Sequence, residues 1–107
     1  MDLANTPKSS YYVVIFSSLL KNHEEQYQRM AKKMDELARI QPGFLGFESA
    51  REKIGLSISY WESLEAIQDW KNNVQHQEAQ KKGKSDWYDS YKVRIARVEY
   101  EYSFDKL

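Results

Sequence analysis

Six consecutive β-branched and aromatic residues, 11–16 (YYVVIF), form the first apolar run of the chain and predict a strand buried on both faces. The period then changes. Tyr27, Met30, Ala31, Met34, Leu37, Ala38 and Gln41 recur at three- and four-residue steps, with Arg29, Lys32, Lys33 and Glu36 between them. That is one apolar stripe and one wet face of a helix. Asn22, ahead of His23, is placed to cap it, Glu24 and Glu25 favour its positive end, and Pro42-Gly43 stops it.

Two strands follow, residues 44–52 (FLGFESARE) and 54–62 (IGLSISYWE), with a tight turn near 52–55. In the second, Ile54, Leu56, Ile58 and Tyr60 alternate with Ser57, Ser59 and Trp61, so one face is apolar and the other polar with one large ring. Ser63 caps a second helix along Leu64, Ile67, Lys71 and Val74, with Trp70 beside them. Asn72-Asn73 interrupts it, and His76 to Lys82 carries it on to Gly83. The last strand runs to Phe104 and changes phase. Tyr91, Val93 and Ile95 are apolar at odd positions, Ala96, Val98, Tyr100, Tyr102 and Phe104 at even ones. Strict alternation cannot shift in this way without an extra residue, which predicts a β-bulge near 95–97. A strand of that length exceeds what a small four-stranded sheet needs, and its surplus is expected to cross to a second subunit.

Strand, helix, strand, strand, helix, strand is the α+β, ferredoxin-like βαββαβ order: an antiparallel sheet with helices on one face. The other face is left bare, and a partly apolar bare face asks for a partner, most simply a two-fold mate. Residues 1–10 read as a polar, loosely held lead-in, and residues 11–104 as the single domain.

Charge narrows the function classes. Sixteen basic residues balance sixteen acidic ones, and no basic stripe tracks phosphates, which argues against a nucleic-acid partner. No apolar run is long enough to span a membrane. Cysteine is absent, which removes disulfides, thiolate catalysis and Cys-based metal sites. The first residues lack an export signal, so a cytoplasmic location is expected.

The segments QPGFLGFESARE, SYWESLEAIQDWKNN, HQEAQKKGKSDWYDSY and VRIARVEYEY, in this order, resemble the antibiotic biosynthesis monooxygenase (ABM) domain family, over nearly the whole of residues 11–104. The pattern H-x-x-A-Q-x-x-G-x-x-x-W-Y-x-x-Y, His76 to Tyr91, carries the resemblance most specifically. It implies a homodimer whose sheets pack face to face as a dimeric α/β barrel, with a pocket between sheet and helices in each subunit. Some relatives oxidise polycyclic phenols with molecular oxygen and no metal or flavin, others degrade haem, and many have no demonstrated activity.

On that resemblance the leading expectation is a cofactor-independent monooxygenase acting on an aromatic or quinone-like small molecule. Such chemistry needs a base, a donor for the resulting anion and a dry aromatic cavity. His76 is the candidate base, because an unperturbed imidazole titrates near neutrality. It equally suits pinning the second helix to the sheet. Trp61, Trp70, Trp87, Tyr88 and Tyr91 suit walls around a flat substrate, and equally plain core or interface packing. Arg94 suits an anion donor, or an ion pair with Glu48 or Glu99. No metal site is expected, since His23 and His76 belong to no HxxxH or HxxE pair. Haem is the alternative cofactor. The haem-degrading relatives resemble this chain at Asp69-Trp70 but use an asparagine on the first strand, which is missing here, and a ligating histidine where this chain has Gln80. A non-catalytic binding or structural dimer is the third reading.

Overall fold

The computed structural model describes residues 3–7, 10–21, 24–82, 84 and 87–106. Seven elements run in order: β1 (Tyr11–Leu20), α1 (Glu24–Arg39), β2 (Phe44–Arg51), β3 (Gly55–Trp61), α2 (Leu64–Asn72), α3 (Val74–Lys82) and β4 (Tyr88–Val98). The four strands make one sheet in the order β2-β3-β1-β4, with every adjacent pair antiparallel. This is the α+β, ferredoxin-like arrangement that the order of elements predicts. The expected cap at Asn22, His23 beside it and the break at Gly83 lie outside the described residues.

Local chemistry accounts for the joints. Gly43 takes φ +84° after α1, and a Cβ there would fall 2.6 Å from that of Ala66. Only glycine reconciles that backbone with the close approach of α2. Ser63 accepts from the Ala66 amide at 3.0 Å and caps α2. Asn73 separates α2 from α3, as the Asn-Asn pair foretold, and its amide returns to the Trp70 carbonyl.

Alternation sorts the two sheet faces. Tyr12 and Val14 of β1 join Phe44, Met34, Leu37 and Ala66 around a buried cluster of Ala38, Trp61, Ile67 and Trp70. The even positions of β1 therefore face the helices. In register with them lie Trp61, Ser59 and Ser57 of β3, and Arg97, Ile95, Val93 and Tyr91 of β4. The opposite face carries Tyr11, Val13, Ile15, Leu56, Ile58, Tyr60, Lys92, Arg94, Ala96 and Val98; no described helix covers it, though Tyr11 and Val13 are buried at the end where Thr6 lies.

Three expectations change. β1 continues through two serines to Leu20, because its ladder to β3 and β4 holds there without apolar side chains. No bulge interrupts residues 95–97: pairing is continuous from Tyr11↔Val98 to Leu19↔Ser90, and the irregularity lies between Leu19 and Leu20, opposite Tyr88 and Ser90. The apolar phase shifts because Tyr91, Val93 and Ile95 face the helices while Ala96 and Val98 face the bare side. Both faces carry apolar side chains along one regular strand, and Val93 and Ile95 stay 43% and 48% exposed on the helix side. β4 also ends at Val98, and residues 99–106 continue without strand pairing.

Residues 3–7 of the lead-in are fastened to the sheet at two points. The Ala4 amide donates to Glu48 at 2.9 Å, and the Thr6 hydroxyl donates to Glu101 at 3.0 Å while accepting from the Tyr11 hydroxyl at 3.1 Å. Among the described residues, no helix is long and apolar enough to cross a membrane.

Candidate functional site

The residues singled out above fall into three places. Trp61, Trp70 and His76 come together. Trp87, Tyr88 and Tyr91 sit at the other end of the sheet. Arg94 is on the other face.

Trp61 closes β3, directly opposite Tyr12, and is fully buried. Its indole donates to Ser59 Oγ at 2.9 Å, two residues back on the same face. Trp70 of α2 stacks on it at 6.3 Å and 25°, and Phe44 meets its edge at 5.5 Å and 86°. His76 of α3 then stands against Trp70, with centroids 4.6 Å apart and planes at 80°. The Asn73 break lets this happen, because α3 restarts there on a new axis and delivers His76 onto the indole. His76 Nδ1 is buried, and no described atom hydrogen-bonds to it. Burial, and secondarily the positive charge of Lys71, lowers the imidazole from its ordinary 6.5 to about 4. At neutral pH the ring is uncharged and keeps a free lone pair in an apolar setting.

The second group of rings lies where Ser18 pairs with Gly55, six residues along β1 from Tyr12 and thus roughly 20 Å away. Phe16 stacks on Tyr91 at 5.2 Å, Tyr88 touches both, and Tyr27 of α1 meets the edges of Tyr88 and Trp87. Arg51, the last residue of β2, lays its guanidinium 5.2 Å over the Tyr27 ring and donates to Ser18 Oγ. Its head fills the space that any side chain at Gly55 would need. Burial and then the hydrogen-bonded Tyr27 push the Tyr88 phenol far above its ordinary value, so it stays protonated. Arg51, Ser18 and Tyr27 were invisible as a group in the sequence. The β2–β3 register that unites them is encoded by alternation over several residues and by no local motif.

Arg94 cannot join either cluster. It lies three residues past Tyr91 on an unbroken strand, and an odd step on a pleated strand reverses the side. The expected pair with Glu48 does not form, since that carboxylate is taken by the Tyr60 hydroxyl at 2.6 Å and by the Ala4 amide. Arg94 instead lines an open concavity of about 290 Å³, with Ser17, Ser18, Leu19, Ile54, Ser90, Tyr91 and Lys92. Among the described residues, no three His, Asp or Glu side chains converge as a metal site would require.

Comparison with known proteins bears on this geometry. Protein YqjZ of Bacillus subtilis, described as uncharacterized, is 45% identical over 106 residues, covering 97% of this chain and 93% of its own. The crystal structure of protein SO0527 from Shewanella oneidensis superposes with a TM-score of 0.76 at 12% identity, over 91% of this chain and 98% of that one. That of PA3566 from Pseudomonas aeruginosa gives 0.71 at 15%, over 91% and 99%. These structures share the fold. The sequence model of the family described as antibiotic biosynthesis monooxygenase matches residues 10–82, which include α1, the Trp61–Trp70 stack and His76, and the chain belongs to that family.

Proposed function

We propose that this chain is a homodimeric, cofactor-independent monooxygenase that uses His76 as a base on a flat aromatic or quinone-like substrate. One observation carries the reading: an imidazole held neutral in an apolar setting, its Nδ1 unpartnered, set against a stack of two tryptophans. Structural histidines that pin a helix spend their nitrogens on hydrogen bonds. This one does not.

The chemistry balances with these groups alone. His76 takes a proton from an activated CH2 flanked by aromatic rings, leaving a carbanion. The carbanion adds to molecular oxygen as a peroxide anion, which recovers the proton from the imidazolium. Loss of water from the hydroperoxide leaves a carbonyl, so the carbon is oxidised and the dioxygen reduced. The carbanion itself offsets the low basicity of the buried ring, since an adjacent negative charge favours the imidazolium. Trp70, backed by the fully buried Trp61, supplies the dry aromatic wall that favours charge pairing. α3 holds His76 over that wall, with His76, Ala79 and Gln80 half-buried among its described side chains.

The bare face supports the dimer. Leu19, Ile54 and Leu56 are exposed there beside Ile15 and Ile58, an apolar surface of the kind that a two-fold mate covers. Sedimentation at micromolar concentration should give twice the chain mass.

The test of activity is oxygen uptake with an anthrone-type substrate, which should be lost in His76→Gln while the fold is kept. Unchanged uptake in that variant would overturn His76 as base. A Soret shift on mixing with haemin, without oxygen consumption by anthrone, would move the protein to the haem-binding reading instead.

A further inference from the structure

The proton transfer proposed above leaves a negative charge on the substrate, and Arg94, the donor expected for it, lies on the other face of the sheet. A ring whose conjugate acid sits at about 4 is a weak base, so the step depends on how well that charge is received. The receiving group has to stand on the helix side, near the Trp61–Trp70 pair.

Burial along that side is uneven. Trp61 and Trp70 are buried at one end, Ser18 and Trp87 at the other. Between them Val14 and Phe16 of β1 and Ser57 and Ser59 of β3 are only half-buried, although both strands are internal to the sheet. A helix layer seated on a sheet buries the inner strands first. Here the helices stand off its middle and leave a trough. Register fixes the two sides of that trough. Ser59 pairs with Val14 and Val14 with Ile95; Ser57 pairs with Phe16 and Phe16 with Val93. The β3 side offers hydroxyls, and the β4 side offers hydrocarbon.

Of the two hydroxyls, Ser59 is the prepared one. Its Oγ accepts from the Trp61 indole at 2.9 Å. A serine hydroxyl has one hydrogen of its own, and no described atom accepts it from Ser59. Accepting from an N–H polarises the hydroxyl and strengthens the bond it can donate. Trp61 in turn stacks on Trp70, which carries His76. Ser59 and His76 thus stand at the two ends of one pair of indoles, a reach that suits a fused ring skeleton.

We infer that Ser59 donates to the oxygen on which the substrate's negative charge comes to rest. The inference rests on the base role proposed for His76 and narrows the substrate. The molecule carries an oxygen conjugated with the reacting CH2, on one edge of a flat skeleton whose opposite edge is hydrocarbon. The first edge meets Ser59, and the second lies on Val93 and Ile95. As the proton leaves carbon for His76, the electron pair moves through the rings onto that oxygen. It returns to carbon when dioxygen adds.

The probe is 2-hydroxyanthraquinone, a flat quinone whose colour reports the ionisation of its one phenol. Purified full-length protein is titrated with it on either side of that ionisation, and binding is followed in the visible. Ser59→Ala should lose about tenfold in affinity for the ionised dye, with little change for the neutral form. Because this variant also orphans the Trp61 indole, the comparison is repeated in Trp61→Phe, with and without Ser59→Ala. The tenfold difference should persist there, where no indole is left to orphan. Ser59→Thr, which keeps a hydroxyl, should recover most of the affinity. With anthrone, loss of the hydroxyl should lower kcat and leave KM nearly unchanged, since the bond tightens only as charge develops. Ionised dye bound equally with and without the hydroxyl would overturn Ser59 as donor. A difference that vanishes in the Trp61→Phe background would assign the serine to holding the indole and overturn it likewise. Failure of every variant and of the unaltered protein to bind the dye would overturn the trough as a site. Hydroxyl-dependent binding without oxygen uptake would support the donor and overturn the oxygenase reading instead.

Discussion

Two clusters of rings occupy opposite ends of the same sheet face, and they differ in what is left unpaired. Around Arg51 the polar groups are matched: guanidinium to Ser18 Oγ and the Tyr27 ring, Tyr88 to Tyr27. Around Trp61 the indole is matched to Ser59, but His76 Nδ1 is not. A buried polar atom without a partner costs folding free energy, so its retention points to a use outside folding. The first cluster is packing with its polar groups satisfied. The second is packing with one buried nitrogen that has no partner among the described residues.

The sharpest way to break this contrast is Trp61→Ala. Removing a fully buried indole that two other rings contact should cost about 3–5 kcal/mol, a large part of a domain's stability. Urea denaturation reads it directly.

His76 comes next, through pH. Its imidazole titrates at about 4 in the folded chain against 6.5 unfolded, so between those values the unfolded state binds the extra proton. Stability is fully present above pH 6.5 and falls as pH drops towards 4, by up to about 3 kcal/mol from this group alone. His76→Phe should remove that share of the acid sensitivity. The difference between the two proteins' urea midpoints at pH 7 and pH 4.5 isolates it from the titration of carboxylates. Equal slopes would mean that the imidazole is not buried as described.

Arg51→Met is smaller and of opposite meaning. It leaves Ser18 buried without its donor and strips the cation from Tyr27, for about 1–3 kcal/mol. Oxygen consumption per folded molecule should be unchanged, whereas His76→Gln abolishes it at little cost in stability at pH 7. Ser63→Ala is the smallest, about 1 kcal/mol from the lost cap of α2. It bears on the site only because α2 carries Trp70. Thermal melts of the two variants rank them.

The elements were legible because their causes are local. The stripe from Tyr27 to Ala38 makes α1, the Ser63 hydroxyl starts α2, and the Asn-Asn pair ends it. Tyr91, Val93 and Ile95 against Ala96 and Val98 were read correctly as two apolar phases but wrongly as a bulge. Alternation alone does not tell which side of a strand meets a helix and which meets a bare face. The same gap left Arg94 open as an anion donor or an ion-pair partner, when the pleat turns it to the face opposite Tyr91. Arg51 carried no signal at all, since its partners Ser18 and Tyr27 lie on other elements.

What the sequence determined by itself was the period of each segment, the order of the elements and the family. Those depend on neighbours a few residues apart and on motifs read in line. Only the tertiary structure decided that Trp61 and Trp70 meet His76 while Trp87 and Tyr91 do not. Strand register carries residues distant in the chain to one end of the sheet or the other, and burial sets the protonation of the ring it encloses.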